Sequence, residues 1–370
     1  MHKDTAILHA GYEKTETPGP FLRGPQFSAT FTSPGDPASH ALTYGRYHNP
    51  TWTAWEEALG ALEGGQAVSF ASGMAAVAAV LGTLLKPGDV ALLPSDSYYN
   101  VRNLASGWLK NTGVDVRLAA TRDNGQIAAL DGARLLWIET PSNPMLDVCD
   151  IRTLVGAAHQ RGALAVVDNT TATPYLQRPL DLGAAIVVAS DTKALTGHAD
   201  LLLGHVATRK DDLLNLIRTW RSQTGAIPGP MEVWLAHRSL ATLPLRLTRQ
   251  CESAMRLATY LSSRGEVKAV HYPGLAQHPG HEIAGRQMDA FGNVVSFELP
   301  TKAQAEAFLQ SLTLVREATS FGSVHSTAER RARWGGDAIS EGFIRFSVGC
   351  EAIDDLLTDV EQALSAAASA

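Results

Sequence analysis

The sequence is poor in cysteine and has no excess of basic residues. Its three cysteines, Cys149, Cys251 and Cys350, are odd in number and widely spaced in a chain of 370 residues. That argues against a disulfide framework and favours a reducing compartment. The 31 Lys and Arg residues are outnumbered by 37 Asp and Glu residues, giving a formal net charge of −6. No basic field therefore exists to attract nucleic acid or an anionic membrane.

Long apolar segments and metal signatures are also missing. The first residues lack the apolar stretch of a signal peptide, and no apolar run approaches the ~20 residues that span a bilayer. The twelve histidines form no CxxC, HxxxH or carboxylate-rich motif, and no Gly-x-Ser-x-Gly motif occurs. We therefore expect a cytoplasmic protein without a bound metal, a nucleic-acid partner or a membrane partner.

The apolar pattern indicates an α/β protein of about two domains. Short apolar runs alternate with helical patterns, which predicts a mainly parallel sheet covered on both faces. The predicted strands lie near residues 68–70, 90–93, 114–118, 135–138, 164–167 and 186–189. After about residue 230 a smaller α+β pattern follows, with strands near residues 267–272, 294–299 and 343–347. We predict an N-terminal arm (1–40) packing on a neighbouring subunit, a large domain (41–231) and a small domain (232–370).

Lys193 and Asp168 form the most informative pair. Lys193 follows an apolar strand within Ser190-Asp191-Thr192-Lys193, and Asp168 ends another apolar strand about 25 residues upstream. An amine that forms a Schiff base and a carboxylate that keeps a pyridine nitrogen protonated are what pyridoxal phosphate (PLP) requires. The pair therefore predicts a PLP site, although a surface lysine and a capping aspartate are the ordinary alternatives.

A strand, a small-residue turn and a helix start coincide at Ser72-Gly73-Met74. Backbone N–H groups and the helix dipole at such a turn favour an anion, so the turn is a candidate phosphate site. Ser190 and Thr192 lie close enough to Lys193 to bind the same phosphate, or they are local caps.

Other polar residues have two interpretations each. Tyr98 or Tyr99 stacks on a cofactor ring or packs in the core. Arg345, inside an apolar strand, binds a substrate carboxylate or forms an internal salt bridge. Asn143 contacts cofactor or substrate, or it belongs to a Pro-bounded turn. Arg46 binds phosphate or lies in a surface loop.

The order of these motifs resembles one family over nearly the whole chain. Tyr44-x-Arg46-x-x-Asn49-Pro50-Thr51, Ser72-Gly73-Met74, Ser142-Asn143-Pro144, Val166-Val167-Asp168-Asn169, Ser190-x-Thr192-Lys193 and Gly197-His198 follow in that order. The chain is thus similar to the PLP-dependent enzymes of Cys/Met metabolism, which include cystathionine γ-synthase, cystathionine γ- and β-lyases and methionine γ-lyase. The resemblance implies the type I PLP-dependent transferase (aspartate aminotransferase-like) fold and a homotetramer built as a dimer of dimers with shared active sites.

The resemblance also implies roles for single residues. Lys193, Tyr98 and Asp168 are expected to be catalytic; Asn143, Ser326 and Arg345 are expected to bind substrate. The expected cofactor ligands are Tyr44, Arg46, Ser72, Gly73, Met74, Tyr98, Asp168, Ser190, Thr192 and Lys193. Tyr44 and Arg46 would reach the phosphate in the neighbouring subunit.

Departures from the family pattern leave the substrate open. His325 stands where a glutamate is frequent, and residues 327–337 are expected to form a shorter loop at the distal end of the substrate. The charged run 329–333 binds a second carboxylate or is a solvated face. We favour a PLP-dependent sulfur amino-acid lyase of the cystathionine γ-lyase type. The alternatives are γ-replacement on an O-acyl-homoserine, cystathionine β-lyase, methionine γ-lyase and a non-catalytic PLP-fold binding protein.

Overall fold

A computed structural model of the chain describes residues 1–12 and 18–369. Within those residues the strands are β1 Gln66–Phe70, β2 Val90–Pro94, β3 Asp115–Ala119, β4 Leu135–Glu139, β5 Leu164–Asp168, β6 Ile186–Ala189, β7 Gly204–Thr208, β8 Ala269–His271, β9 Val294–Glu298, β10 Arg316–Glu317, β11 Thr327–Arg330 and β12 Phe343–Ser347. The α-helices are α1 Lys3–His9, α2 Pro50–Glu63, α3 Gly73–Leu84, α4 Tyr99–Leu104, α5 Ile151–Gln160, α6 Thr173–Leu176, α7 Asp211–Thr224, α8 Pro230–Leu240, α9 Leu243–Ser262, α10 His281–Gln287, α11 Lys302–Ser311 and α12 Ile353–Ala367.

The larger sheet has the strand order β1-β7-β6-β5-β4-β2-β3 in the described part of the chain. Strands β2 to β6 pair in parallel, and β7 runs antiparallel to both of its neighbours. Its central strands are buried along their length because α3 and α7 cover one face and α5 covers the other. The carboxyl ends of β1, β2, β4, β5 and β6 consequently meet at one edge, where parallel sheets bind ligands.

The smaller sheet has the order β10-β11-β12-β9-β8 among the described residues. It is antiparallel except for the β10–β11 pair. Its buried face packs against α9, α11 and α12, where phenylalanines of β9, α11 and β12 meet leucines of α9 and α12. This sheet brings β11 and β12 beside each other, which matters for the cavity described below.

Most strands predicted from the sequence are confirmed. The six predicted for the large sheet and the three predicted for the small sheet each coincide with a strand to within two residues at either end. Strands β7, β10 and β11 were not predicted. The prediction of a loop over residues 327–337 is wrong at its start, because Thr327–Arg330 is β11 and pairs with β12.

The N-terminal arm predicted for residues 1–40 includes residues 13–17, which lie outside the described residues. The beginning of the arm packs on its own chain, because Ile7 of α1 is buried in a core shared with α2 and α8. In contrast, Phe21 and Phe27 are exposed. The boundary predicted between residues 231 and 232 falls inside α8. In the part of the chain that the structure describes, no helix is both long and apolar enough to cross a membrane.

Arg246 of α9 fixes the segment that follows Lys193. Its guanidinium is buried and donates to the carbonyl oxygens of Ala194 (2.9 Å), Leu195 (3.1 Å) and Ser239 (3.2 Å). Burial lowers the pKa of Arg246 to about 10. One side chain from the small-domain side of the chain thus satisfies three backbone acceptors, two of them directly after the candidate cofactor lysine.

We expect Arg246→Met to destabilise the protein, because three buried carbonyl groups lose their donor at about 1–3 kcal/mol each before relaxation. A loss of roughly 2–5 kcal/mol in the free energy of unfolding should appear as a lower midpoint in urea. Arg249→Met is the matched control, since Arg249 lies on the same helix but is exposed, and its Nη2 donates to the Glu351 carbonyl at 3.3 Å. Equal midpoints for the two variants would contradict the anchoring role.

Candidate active site

A cavity of about 340 Å³ lies at the carboxyl edge of the large sheet. Turns after five strands contribute to its wall, and residues before and within β12 close it from the small-sheet side. Of the residues predicted from the sequence, those that line it are Ser72, Gly73, Met74, Tyr98, Asn143, Asp168, Ser190, Thr192, Lys193 and Arg345. Side chains separated by up to 273 positions in the sequence therefore share one cavity.

Lys193 is a partly buried amine whose Nζ has one hydrogen-bond partner among the described residues. Its Nζ donates to Ser320 Oγ at 2.6 Å and lies 5.3 Å from the centre of the Phe321 ring. Burial, helped by the nearby charge of Arg345, lowers the pKa of Lys193 to about 8. A larger fraction of this amine is therefore neutral near pH 7 than of an exposed lysine, and only the neutral form is nucleophilic.

Asp168 and Glu139 are neighbouring carboxylates at the ends of β5 and β4, where they occupy paired positions. Burial raises the pKa of Asp168, and burial together with the charge of Asp168 raises the pKa of Glu139 well above its usual range. Thr170 donates its backbone N–H to Asp168 Oδ1 at 3.0 Å. A buried carboxylate at this position is stabilised by a cation, and a protonated pyridine nitrogen would be one.

Glu139 holds two loops of the site together. It is not among the site residues predicted from the sequence. Its Oε2 accepts the backbone N–H of Tyr98 at 2.8 Å, and its Oε1 accepts that of Asn143 at 3.0 Å. The turns that carry Tyr98 and Asn143 are thereby fixed to one side chain. The available signal was the same as for Asp168, a carboxylate directly after an apolar strand.

The start of α3 forms a close-fitting turn against Ser190. A Cβ atom placed on Gly73 would lie 2.7 Å from Ser190 Cβ, so only glycine lets these segments approach. Ser72 caps the helix by accepting the N–H of Ala75 at 3.1 Å. The hydroxyl of Thr192 is bonded to the backbone of Leu203 on both its donor and acceptor sides. Free N–H groups and the positive end of the helix dipole thus face the cavity.

Arg345 forms the internal salt bridge that the sequence offered as one interpretation, and it also lines the cavity. Its Nη1 donates to Asn143 Oδ1 at 2.6 Å, and its Nη2 donates to the Ser320 carbonyl at 3.0 Å and to the Glu329 carboxylate. Burial lowers the pKa of Arg345 to about 10, against the opposing effect of Glu329. The internal salt bridge exists, and the guanidinium still lines the cavity.

The two candidate stacking tyrosines differ in their surroundings. Both line the cavity, with ring centres 5.1 Å apart. The Tyr98 hydroxyl accepts a hydrogen bond from Asn100 at 2.9 Å. The Tyr99 ring packs against Gly336, where an added Cβ would meet it at 3.0 Å. The Tyr99 ring thus packs against the 331–337 segment. This favours Tyr98 as the residue that stacks on the cofactor ring.

Three predicted residues lie away from this cavity. Ser326 is buried, and its hydroxyl donates to Glu351 at 2.8 Å and accepts the N–H of Gly349. Ser326 is therefore not proposed as a substrate ligand. Ser320, six residues earlier, contacts Lys193 instead. Tyr44 is exposed, and Arg46 donates to the Ser222 carbonyl at 2.5 Å. His325 is exposed as well.

The residues present fit pyridoxal phosphate. The turn before α3 offers N–H donors for a phosphate, Asp168 is a buried carboxylate for the pyridine nitrogen, and Lys193 supplies an amine with a lowered pKa. The tight approach of Gly73 to Ser190 leaves no side chain between the phosphate turn and the lysine segment.

Comparison with known proteins decides the family. The model of the Cys/Met metabolism PLP-dependent enzyme family matches residues 4–365. The chain belongs to this family. A putative cystathionine gamma-lyase of Streptomyces coelicolor is 54% identical over 365 residues, covering 97% of this chain and 93% of the relative. An L-methionine gamma-lyase of Pseudomonas putida is 38% identical, covering 98% of this chain and 97% of the relative.

Solved structures of family members have the same fold. Cystathionine gamma synthase from Xanthomonas oryzae pv. oryzae, in complex with cystathionine, superposes with a TM-score of 0.96 at 36% identity, covering 100% of this chain and 99% of that one. The predicted type I PLP-dependent fold, dependence on PLP and enzymatic function in sulfur amino-acid metabolism are confirmed for this family member. The roles of single residues stay predictions.

The lowered pKa of Lys193 makes cofactor uptake dependent on pH. We expect PLP uptake by cofactor-free protein to become faster as pH rises through about 8, because the neutral amine attacks the aldehyde. Stopped-flow absorbance measures the rate of PLP uptake. The same measurement with free Nα-acetyllysine gives the pH dependence that comes from PLP itself and not from Lys193. A midpoint close to the ~10.4 of an ordinary lysine would contradict the lowered pKa.

Proposed function

We propose that this family member is a cystathionine γ-lyase, which converts L-cystathionine to cysteine, 2-oxobutanoate and ammonia. The observation that carries the chemistry is the partly buried Lys193 amine, with a pKa of about 8, in a cavity shared with Asp168. The choice among family activities is supported by the Streptomyces relative, which is 54% identical.

In this proposal the cofactor, when bound, supplies an electron sink beside the substrate's α-carbon. Asp168 would keep the pyridine nitrogen protonated, and Tyr98 would stack on the ring. The phosphate would be held by Ser72, Gly73, Met74, Ser190 and Thr192. These assignments are supported by the presence of all seven residues on the wall of one cavity.

Arg345 and Asn143 are proposed to bind the substrate's α-carboxylate. Their side chains are already bonded to each other, so a carboxylate that enters meets a fixed pair of donors. The Lys193 amine would accept the α-proton and would move a further proton at the β-carbon, so that the γ-thiol can leave. Its lowered pKa suits a group that must both accept and donate a proton near neutral pH.

We further propose a homotetramer in which each dimer shares its active sites. Tyr44 and Arg46 do not line the cavity of their own chain, and Tyr44 is exposed, as expected of residues that serve a partner's site. The free cysteines, two of them buried, support the proposal of a reducing cytoplasm.

The second candidate is γ-replacement, in which an O-acyl-homoserine accepts cysteine. It is favoured by the close structural match to the γ-synthase from Xanthomonas oryzae. Both reactions use every residue named above, so the products have to separate them.

The first test is incubation of PLP-loaded protein with cystathionine alone. We expect 2-oxobutanoate and cysteine, because the Lys193 site is proposed to drive γ-elimination. Mass spectrometry identifies the keto acid; Lys193→Ala should form none and lose the visible absorbance of the lysine-bound cofactor, whereas Lys110→Ala, at an exposed position, should keep both. Pyruvate with homocysteine would make the protein a β-lyase. Absence of any keto acid would overturn the lyase proposal, and added O-succinylhomoserine with cysteine would then test replacement.

Shared active sites predict complementation between two inactive variants. Lys193→Ala removes the amine from one subunit and Arg46→Ala removes the phosphate ligand offered to the other. Mixed, refolded subunits should regain roughly a quarter of wild-type activity, because half of the dimers are hybrid and each hybrid has one complete site. No recovery above the separate variants would contradict a shared site.

A further inference from the structure

The charged run 329–333 is not a solvated face at its start. Glu329, Arg330 and Arg331 are buried, with Arg331 only 3% exposed. Arg331 follows directly after β11, and both it and Trp334 line the active-site cavity. A buried arginine on a cavity wall needs anionic partners. Within the described residues, the partners of Arg331 leave its Nε–H without an acceptor.

Arg331 has unused hydrogen-bond donors. Its Nη1 donates to Glu329 Oε1 at 3.1 Å, and its Nη2 donates to Asp337 Oδ2 at 2.7 Å. Its Nε–H is buried and has no hydrogen-bond partner within residues 1–12 and 18–369. A guanidinium carries five N–H donors in a planar fork, so donors remain for a further acceptor.

Among the described residues, the arginines paired in the cluster around Arg331 outnumber the carboxylates. Glu329 is shared by three guanidiniums, those of Arg331, Arg333 and Arg345. Asp337 is shared by Arg331 and Arg102. Even with Glu317, which pairs with Arg333 at 2.6 Å, three carboxylates face four arginines. This wall of the cavity therefore has an excess positive charge, which favours an anionic ligand.

Arg331 and Arg345 both donate to Glu329 Oε1, but they lie against different aromatic rings of the cavity wall. Arg345 contacts Ser320 and lies 5.2 Å from the Phe321 ring, on the side of Lys193. Arg331 lies 5.8 Å from the Tyr99 ring, on the side of Tyr99 and Trp334. An α-carboxylate at Arg345 leaves Arg331 for a group farther along the substrate.

From this arrangement we propose that Arg331 binds a second carboxylate at the distal end of the substrate. The inference rests on the proposed function, in which Arg345 takes the α-carboxylate. It favours amino acids with a carboxylate at the distal end, such as cystathionine, over amino acids without one, such as methionine.

Two unreactive amino acids of similar length test the proposal without turnover. L-2-Aminopimelate has a distal carboxylate, whereas L-norleucine has an apolar tail, and neither has a leaving group. Binding to PLP-loaded protein is followed by the absorbance change of the cofactor. We expect wild-type protein to bind 2-aminopimelate at least about tenfold more tightly, as a charge-assisted pair provides.

Arg331→Met should remove this preference by weakening 2-aminopimelate binding about tenfold or more while changing norleucine binding less than threefold. Arg333→Met is the matched control, because Arg333 pairs with the same Glu329 but is exposed; it should keep the preference. Arg331→Lys retains the charge for Glu329 and Asp337 without the planar fork, so it should fold and show a reduced preference.

Absence of a preference in wild-type protein would overturn the proposal, as would equal losses for both ligands in Arg331→Met and Arg331→Lys. Failure of the lyase proposal is recognised separately. In that case wild-type protein forms no keto acid from cystathionine, while the preference for 2-aminopimelate is measured without any turnover.

Discussion

The buried carboxylate of Glu329 is the contact on which the cationic side of the site depends. Strands β11 and β12 pair so that Glu329 lies opposite Arg345, and the same carboxylate accepts hydrogen bonds from Arg331, Arg333 and the Trp334 indole. Removing one member of a buried ionic cluster leaves the others uncompensated, at a cost of several kcal/mol. The small sheet therefore presents its arginines to the cavity in fixed positions, and the arginines in turn keep the Glu329 carboxylate ionised, with a pKa below its usual value despite burial.

The two sheets contribute opposite charges to the cavity. The large sheet supplies Asp168 and Glu139 at adjacent strand ends, while the small sheet supplies Arg345 and the segment after β11 supplies Arg331. Lys193 lies between them, and the nearby arginines lower its pKa further than burial alone. This separation offers a carboxylate to a protonated ring nitrogen on one side and guanidiniums to a substrate carboxylate on the other. The proposed chemistry thus depends on both sheets docking together, because neither sheet alone carries all the site residues.

Local sequence predicted the part of the site that the large sheet carries. Asp168 and the Ser72-Gly73 turn follow directly from the pattern of apolar strand and small or acidic residue, and Lys193 stands in a similarly local setting. Ser320 was not predicted, and the run 329–333 was predicted only as a group, either to bind a second carboxylate or to be a solvated face. The contacts that single out Ser320 and Arg331 are with residues more than a hundred positions away, such as Lys193 and Tyr99. Strand β11 was missed for the same reason: its four residues, Thr327–Arg330, carry three polar side chains, and only pairing with β12 makes them a strand. Pairing of this kind leaves no periodic signal in one short segment.

Ser320 connects the two halves of the site at a cost to the backbone. It has a φ of 79°, a region that residues other than glycine rarely adopt, and such a conformation costs of order 1–3 kcal/mol. In return its hydroxyl accepts a hydrogen bond from Lys193, while its carbonyl accepts one from Arg345. Glycine would adopt the same backbone conformation without strain but has no hydroxyl to hold the amine. The presence of serine at this position is thus explained by the orientation of the lysine, because the carbonyl contact alone requires no side chain.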